Sequence, residues 1–367
     1  MKRSLLSIAI IATLCSVIIH CGESSSSTPV VLPDSTVYIS GACKDSNDVY
    51  IPGYWKNNVW TGFDNPNNSG GTKYPAYATS IVIDGTDVYV GGYCYTATSN
   101  VYSAGYWKNG TWNPLTNSYD AAKSATVYVL VVVGTDIYAG GSSKDDIEKA
   151  GYWLNNTWHP LGTSNPRVVN SMYIEGTHVH AAGHSYISTS YHEGRYWYDG
   201  AETPIQNTYL ATKDVIVNAM TVSGTDVYLA GYCSNNETVS YAVAGYWLNG
   251  IWNPLTNIYG SYLSLAYAIL VDGTDIYVGG FSRDSSGKNI PGYWKNGTWN
   301  PLSYPAGGEV HSIVKYGDDV YFGGSTYDSS YNSTACYWVK GTRVDMTDKL
   351  DAAKTGYFWS MAVTAPE

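Results

Sequence analysis

Four of the seven histidines fall close together, at His178, His180, His184 and His192. Such a cluster first suggests metal coordination, since neutral imidazole is a common ligand for zinc and copper. Spacing argues against it. At about 3.3 Å per residue in a strand, His178 and His184 stand roughly 20 Å apart, too far for one ion. A site built on His184 and His192 across a hairpin, with Glu193, would need further ligands. The segment His192-Glu193-Gly194-Arg195-Tyr196 has Tyr196 where a helical zinc-protease motif has its second histidine, and it reads as strand. His178 and His180 instead replace an aspartate and a tyrosine of a repeated phrase. No metal and no cofactor is expected.

Beyond Cys21 the thiols are Cys43, Cys94, Cys233 and Cys336, the first three in one repeated slot. An oxidising compartment would permit bridges from Cys43 to Cys94 or Cys336, and spacing decides neither. The aspartates of the Gly-Thr-Asp phrases (Asp87, Asp136, Asp226 and Asp275) recur at turns and read as structural. Asp145, Asp146, Glu148 and Glu309 are the carboxylates that loops from different blades would bring together. There is no Gly-x-Ser-x-Gly elbow, Walker A loop or dinucleotide fingerprint.

The elements that would position any site follow from internal repetition. The phrases DGTDVYVGG (84–92), VGTDIYAGG (133–141), EGTHVHAAG (175–183), SGTDVYLAG (223–231), DGTDIYVGG (272–280) and YGDDVYFGG (316–324) follow a first copy, STVYISG, at 35–41. Each precedes a Tyr-Trp pair, whose tryptophans are Trp55, Trp107, Trp153, Trp197, Trp247, Trp294 and Trp338. Five repeats add a second tryptophan: Trp60, Trp112, Trp158, Trp252 and Trp299. Each unit reads as four strands, A to D. Asp84-Gly85 and its equivalents suit a type I′ turn between A and B, and Asn109-Gly110 and its equivalents turn C into D. No segment past the leader carries a helical period.

Seven such units predict an all-β, seven-bladed β-propeller of four-stranded antiparallel blades over 35–367. The chain starts near strand B and ends on Tyr357–Val363, which aligns with strand A. The last strand is therefore expected to complete the first blade and close the ring. The double glycine followed by Tyr and Trp resembles the kelch-type, galactose-oxidase-like propellers. The spacing departs from that family, since five residues separate Tyr106 from Trp112 where kelch repeats leave about six. The copper site and Cys–Tyr crosslink of galactose oxidase have no matching positions here.

Short A–B and C–D turns share one face of the ring, and longer, variable B–C and D–A loops share the other. Recognition is expected on the loop face. Six positions before each turn glycine stand Thr79, Tyr128, Asn170, Asn218, Tyr267 and His311, with Trp359 at the matching place in the C-terminal strand, polar or aromatic in every copy. This ring is the candidate ligand site at the loop-side mouth of the channel. The repeated tryptophans read as blade packing. Loop tyrosines Tyr74, Tyr77, Tyr95, Tyr102, Tyr119, Tyr259 and Tyr262 are freer to meet a ligand.

Met1-Lys2-Arg3, an apolar run from Leu5 to Ile19, then Cys21 and Ser24–Ser27 resemble a bacterial lipoprotein signal. That reading divides the chain into a signal peptide (1–20), a lipidated Cys21 with a Ser-rich tether (21–34) and the propeller. His20 departs from the small residue expected before the cysteine, and an ordinary secretory leader is the alternative. A net charge of −10 excludes general nucleic-acid binding. The sequence thus leads to a monomeric cell-envelope protein, membrane-bound only through its lipid, that binds a protein or glycan without catalysis. A carbohydrate-active lyase, hydrolase or copper oxidase is the alternative.

Overall fold

The computed structural model describes residues 34–98, 101–117, 119–120, 122–162, 167–188, 191–209, 214–235, 241–260, 263–351 and 354–366. The leader, Cys21 and Tyr262 lie outside them. The described residues form seven four-stranded antiparallel sheets and no helix.

Blades 2 to 7 are consecutive in sequence. Their inner A strands are Ala76–Asp84, Ala125–Val133, Arg167–Glu175, Val215–Ser223, Ser264–Asp272 and Gly307–Tyr316. Blade 1 is composite. Its inner strand is the C-terminal Gly356–Thr364, paired antiparallel with Thr36–Lys44 from Thr36↔Thr364 to Cys43↔Gly356. Each inner strand contacts the inner strands on either side, the C-terminal one touching blades 7 and 2, so the ring is closed. The predicted architecture and its closure are what the chain adopts.

The core is divided into seven clusters, one at each blade interface, and each holds one first tryptophan. All seven of these indoles are fully buried. The residue at or just past the end of each D strand (Phe63, Leu115, Leu161, Ile205, Leu255, Leu302 or Met346) is buried beside the next blade's tryptophan. Phe63 stacks on Trp107 at 5.2 Å. Several indole N–H groups donate to a carbonyl of the preceding blade, as Trp153 does to Thr116 O at 2.9 Å and Trp294 to Thr256 O at 3.0 Å. A large buried apolar ring thus packs each interface, and at four of the seven (Trp55, Trp153, Trp294 and Trp338) its N–H also bonds a carbonyl of the preceding blade.

Turn geometry corrects one expectation. At the A–B turns Asp84 pairs with Asp87, and only Gly85 of the central pair has positive φ (58°). That is a type II′ turn on Gly85-Thr86, not a type I′ turn on Asp84-Gly85. The C–D turns are type I′, with Asn109 at 49° and Gly110 at 83°. The Gly-Thr-Asp aspartates hold these turns: Asn109 Nδ2 donates to Asp87 Oδ1 at 2.7 Å, and Asn296 Nδ2 to Asp275 Oδ1 at 2.8 Å.

The missing second tryptophans have a steric explanation. Before the Tyr-Trp pair, Gly53, Gly105, Gly151, Gly245 and Gly292 each lie under a second indole. A Cβ on Gly105 would sit 2.4 Å from Trp112. Blade 4 has Glu202 at the indole position and Arg195 at the glycine. The buried guanidinium bonds both Glu202 and Glu193. Arg195→Ala is expected to destabilise the protein by about 2 kcal/mol, since it strands two partly buried carboxylates. Arg195→Gly combined with Glu202→Trp is expected to recover most of that loss, read as the midpoint of urea unfolding.

Candidate functional site

Every inner strand carries one β-bulge, and in all seven it falls on the predicted ring. The residues skipped by the ladder are Thr79, Tyr128, Asn170, Asn218, Tyr267, His311 and Trp359. The bulge lies nearer the loop end of the strand than the turn end. The double glycine is its counterpart on strand B. A Cβ on Gly92, Gly183, Gly231 or Gly280 would lie 1.9 Å from the carbonyl oxygen two residues before the bulge (Tyr77, Val168, Ile216 or Leu265). Gly41, Gly141 and Gly324 face the same clash at 1.9–2.0 Å. The repeat's signature glycine is thus the cavity that lets the inner strand bulge.

The seven bulged side chains divide by role. Thr79 is buried and donates to Val127 O of the next blade at 2.8 Å. Asn170 and Asn218 do the same, to Val217 O and Ala266 O, each at 2.8 Å. These three tie neighbouring inner strands together. Tyr267 stacks on His311 at 4.7 Å, and His311 lies over Phe358 at 6.3 Å. Trp359 is 41% exposed, while Tyr128 is half-buried.

Two chemically distinct sectors result. Across blades 1 to 3 the rings of Tyr50, Tyr77, Tyr93, Tyr95, Tyr102, Tyr128, Tyr357 and Trp359 form one connected surface with centroids 4.6–6.2 Å apart. Burial pushes the Tyr95, Tyr128 and Tyr357 phenols up to about 12, and raises Tyr77 and Tyr93 as well. At neutral pH these phenols are protonated and can donate hydrogen bonds. Across blades 6 and 7, Glu309 accepts from Asn289 Nδ2 at 3.0 Å and lies beside the Tyr267 and Tyr327 phenols, with His311 Nε2 at 3.5 Å. Burial, then the Glu309 charge, raises both phenols.

The other candidate carboxylates do not join Glu309. Asp145 pairs with Lys149, Asp146 with Lys123, and Glu148 accepts from Ser142 Oγ on blade 3. Tyr119 and Tyr259 are less free than expected. Their hydroxyls accept the Trp158 and Trp299 indole N–H groups at 3.1 Å, which makes them scaffold. Sequence reading missed a set of loop asparagines. Asn65, Asn117, Asn207 and Asn257 each donate to backbone carbonyls that join a D–A loop to strand B. The recurring Pro-Leu-Thr-Asn at 114–117 and 254–257 was their visible trace.

The histidine cluster separates into two pairs. His178 Nδ1 bonds Asp199 Oδ2 at 2.7 Å, an exchange of the Asp–Asn partnership of other blades. His180 Nδ1 meets Tyr196 Oη at 2.7 Å. Further along, His192 Nδ1 meets Asp214 Oδ1 at 2.8 Å, and the His184 and His192 rings are 5.3 Å apart. Among the described residues no group of three or more His, Cys, Asp or Glu side chains is arranged around a common ion position. Cys43, Cys94, Cys233 and Cys336 are free, buried thiols in four different clusters, so neither of the bridges considered forms.

His184 gives the ring a pH dependence. Its Nδ1 lies 3.2 Å from Asn170 Nδ2, which fits an unprotonated acceptor, and burial beside His192 lowers its pKa to about 4. A folded-state pKa below the unfolded value of about 6.5 means the unfolded chain binds the proton more tightly. Stability is therefore expected to fall as pH drops from 6.5 towards 4. His184→Gln is expected to flatten that part of a stability–pH profile measured by urea unfolding.

Clefts differ between faces. On the turn face one of about 630 Å³ opens between blades 1 and 2, lined by Tyr54, Phe63, Asn109 and Trp112. Grooves at equivalent positions between blades 2 and 3 and between blades 6 and 7 mark it as a periodic seam of the ring. That face is less plain than the short turns implied. On the loop face a cleft of about 470 Å³ lies between blades 6 and 7, bordered by Arg283, Lys288, Glu309, Tyr327 and Tyr331.

No family model matches the chain, and no curated protein does. Some solved structures are similar to it over most of its length. The β-propeller domain of the Trilobed protease from Pyrococcus furiosus is 12% identical over 88% of this chain and 97% of that one, with a TM-score of 0.48. A Mycobacterium tuberculosis puromycin-hydrolyzing peptidase is 12% identical over 88% of this chain, which spans 53% of that protein, with a TM-score of 0.49. A mutant of the Aleuria aurantia lectin, in complex with alpha-methyl-L-fucoside, is 12% identical over 86% of this chain and 95% of that one, with a TM-score of 0.40.

Proposed function

We propose that this propeller binds a glycan or protein ligand, without catalysis, at the loop-side mouth of its channel, and that a glycan is the better fit. The observation that carries this reading is the connected aromatic surface ending in the exposed ring of Trp359. Contiguous neutral rings edged by phenolic hydroxyls suit the apolar faces and hydroxyls of a sugar. Trp359 also lies outside the repeated packing positions, so blade packing does not account for it. Titration with a glycan library, followed by indole fluorescence, tests the reading. Trp359→Ala is expected to weaken binding at least about tenfold, the equivalent of 1.4 kcal/mol. Full retention of affinity in that variant would remove Trp359 from the site.

A second reading, a carbohydrate-active enzyme, draws on Glu309 among Tyr267, Tyr327 and His311. A carboxylate so enclosed resembles a general acid or base more than a binding contact. Turnover of polysaccharide that disappears in Glu309→Gln, with the fold intact, would favour it.

The location belongs to the same proposal: a kelch-like propeller held as a monomer at the bacterial cell envelope by lipid on Cys21. Metabolic labelling with palmitate is expected to mark the wild type. Cys21→Ser is expected to lose the label and release the protein from membranes.

A further inference from the structure

We infer that the loop-face cleft between blades 6 and 7 is a separate subsite for a carboxylate-bearing sugar, with Arg283 as the carboxylate clamp and Tyr331 as the stacking platform. The inference rests on the reading of the loop face as a carbohydrate surface, but it uses different blades from the Trp359 sector.

The backbone supplies the first observation. The B–C loops of blades 1, 6 and 7 are built alike. Asp45, Asp284 and Asp328 each accept, through one carboxylate oxygen, the N–H groups two and four residues on. The residue three positions on takes positive φ in each: Asp48 at 61°, Gly287 at 87° and Tyr331 at 62°. Glycine suits that slot, and a bulky aromatic does not. Tyr331 nevertheless occupies it with 88% of its surface exposed, so no packing contact compensates the backbone conformation. A large ring held out over a cleft in this way fits a ligand contact.

Charge supplies the second. The chain carries −10 overall, yet Arg283 and Lys288 both border this cleft with no ion-pair partner among the described residues. Arg283 Nε donates to Asn289 Oδ1 at 2.8 Å, which fixes the guanidinium plane, and its two Nη groups have no acceptor among the described residues. A planar pair of free N–H donors matches a carboxylate, and Lys288 adds charge beside it. The acidic groups of the cleft are already engaged: Asp328 by its own loop, and Glu309 by Asn289, beside the Tyr267 and Tyr327 phenols. Glu309 and Tyr327 are thus left to meet sugar hydroxyls, while the ligand's own charge goes to Arg283. The volume of about 470 Å³ is in the range of small-ligand sites.

Calorimetry with trigalacturonate and its methyl ester, at low salt, tests this on the full propeller. The acid is expected to bind and the ester to bind at least about tenfold more weakly, as loss of a charge-assisted bond implies. Arg283→Gln should reproduce the ester's loss. Tyr331→Gly, which restores the residue of the matching blade 6 loop, should weaken binding while leaving the unfolding midpoint equal or higher. Equal binding of acid and ester, full affinity in Arg283→Gln or Tyr331→Gly, or equal binding of an oligoglutamate would each overturn the inference, as would failure of any uronate to bind. If neutral glycans bind through Trp359 while uronates do not, only this inference falls. If uronates bind through Arg283 while Trp359→Ala affects no sugar, the aromatic-sector reading falls and the cleft stands.

Discussion

A chain ending at Thr355 is expected to lose cooperative unfolding and near-ultraviolet dichroism, although it lacks only the last dozen residues. The reason is topological. Gly356–Thr364 is the inner strand of blade 1, and its removal leaves the whole inner edge of Thr36–Lys44 unpaired. It also takes Phe358 and Met361 out of the cluster that buries Trp55, and opens the ring between blades 7 and 2. The summed loss is expected to reach the total stability of an ordinary domain, about 5–15 kcal/mol. A circular permutant tests the cause. Joining Thr364 to Thr36 through a two-residue Gly-Thr link, with new termini before Gly356, makes blade 1 consecutive like the others. That permutant is expected to unfold cooperatively within a few degrees of the intact protein. If the chain ending at Thr355 unfolds like the full one, the strand does not close the ring.

Gly231→Ala is the second large effect, expected to destabilise by about 3 kcal/mol or more. The added methyl meets Ile216 O at 1.9 Å, so either the bulge at Asn218 opens or the two strands separate. Both outcomes take Asn218 Nδ2 from Ala266 O, which loosens the contact with blade 6. Gly287→Ala is the matched comparison. Its φ is 87°, but nothing lies within 4 Å of the new carbon, so only the backbone preference is lost, about 1 kcal/mol. Urea midpoints of the two variants separate steric blockage from conformational preference. Equal losses would mean that the bulge does not need the glycine.

Much of this fold was legible because a propeller repeats its instructions. Type I′ turns at Asn-Gly, strands of fixed length and one indole per unit are local signals, and seven copies made each one readable. The A–B turn was misread by one residue because Asp84-Gly85 and Gly85-Thr86 both satisfy a Gly-containing hairpin. Only the pairing of Asp84 with Asp87 chooses between them. The candidate ring was located by register, yet its nature as seven bulges was hidden. A bulge is a relation between two strands, and the paired glycine that permits it lies a dozen residues away.

By itself, the sequence determined the number of blades, their strand order, the closing role of the C-terminal strand and the burial of the repeated indoles. Those features depend on turn chemistry and apolar alternation, which each segment carries within itself. Tertiary structure alone decided what the ring residues touch: Thr79, Asn170 and Asn218 bind the next blade, seven tyrosine rings and Trp359 merge into one surface, and Glu309 is enclosed by Tyr267, Tyr327 and Asn289. Contacts across blades depend on distances between residues far apart in the chain, and those are fixed only when the ring closes.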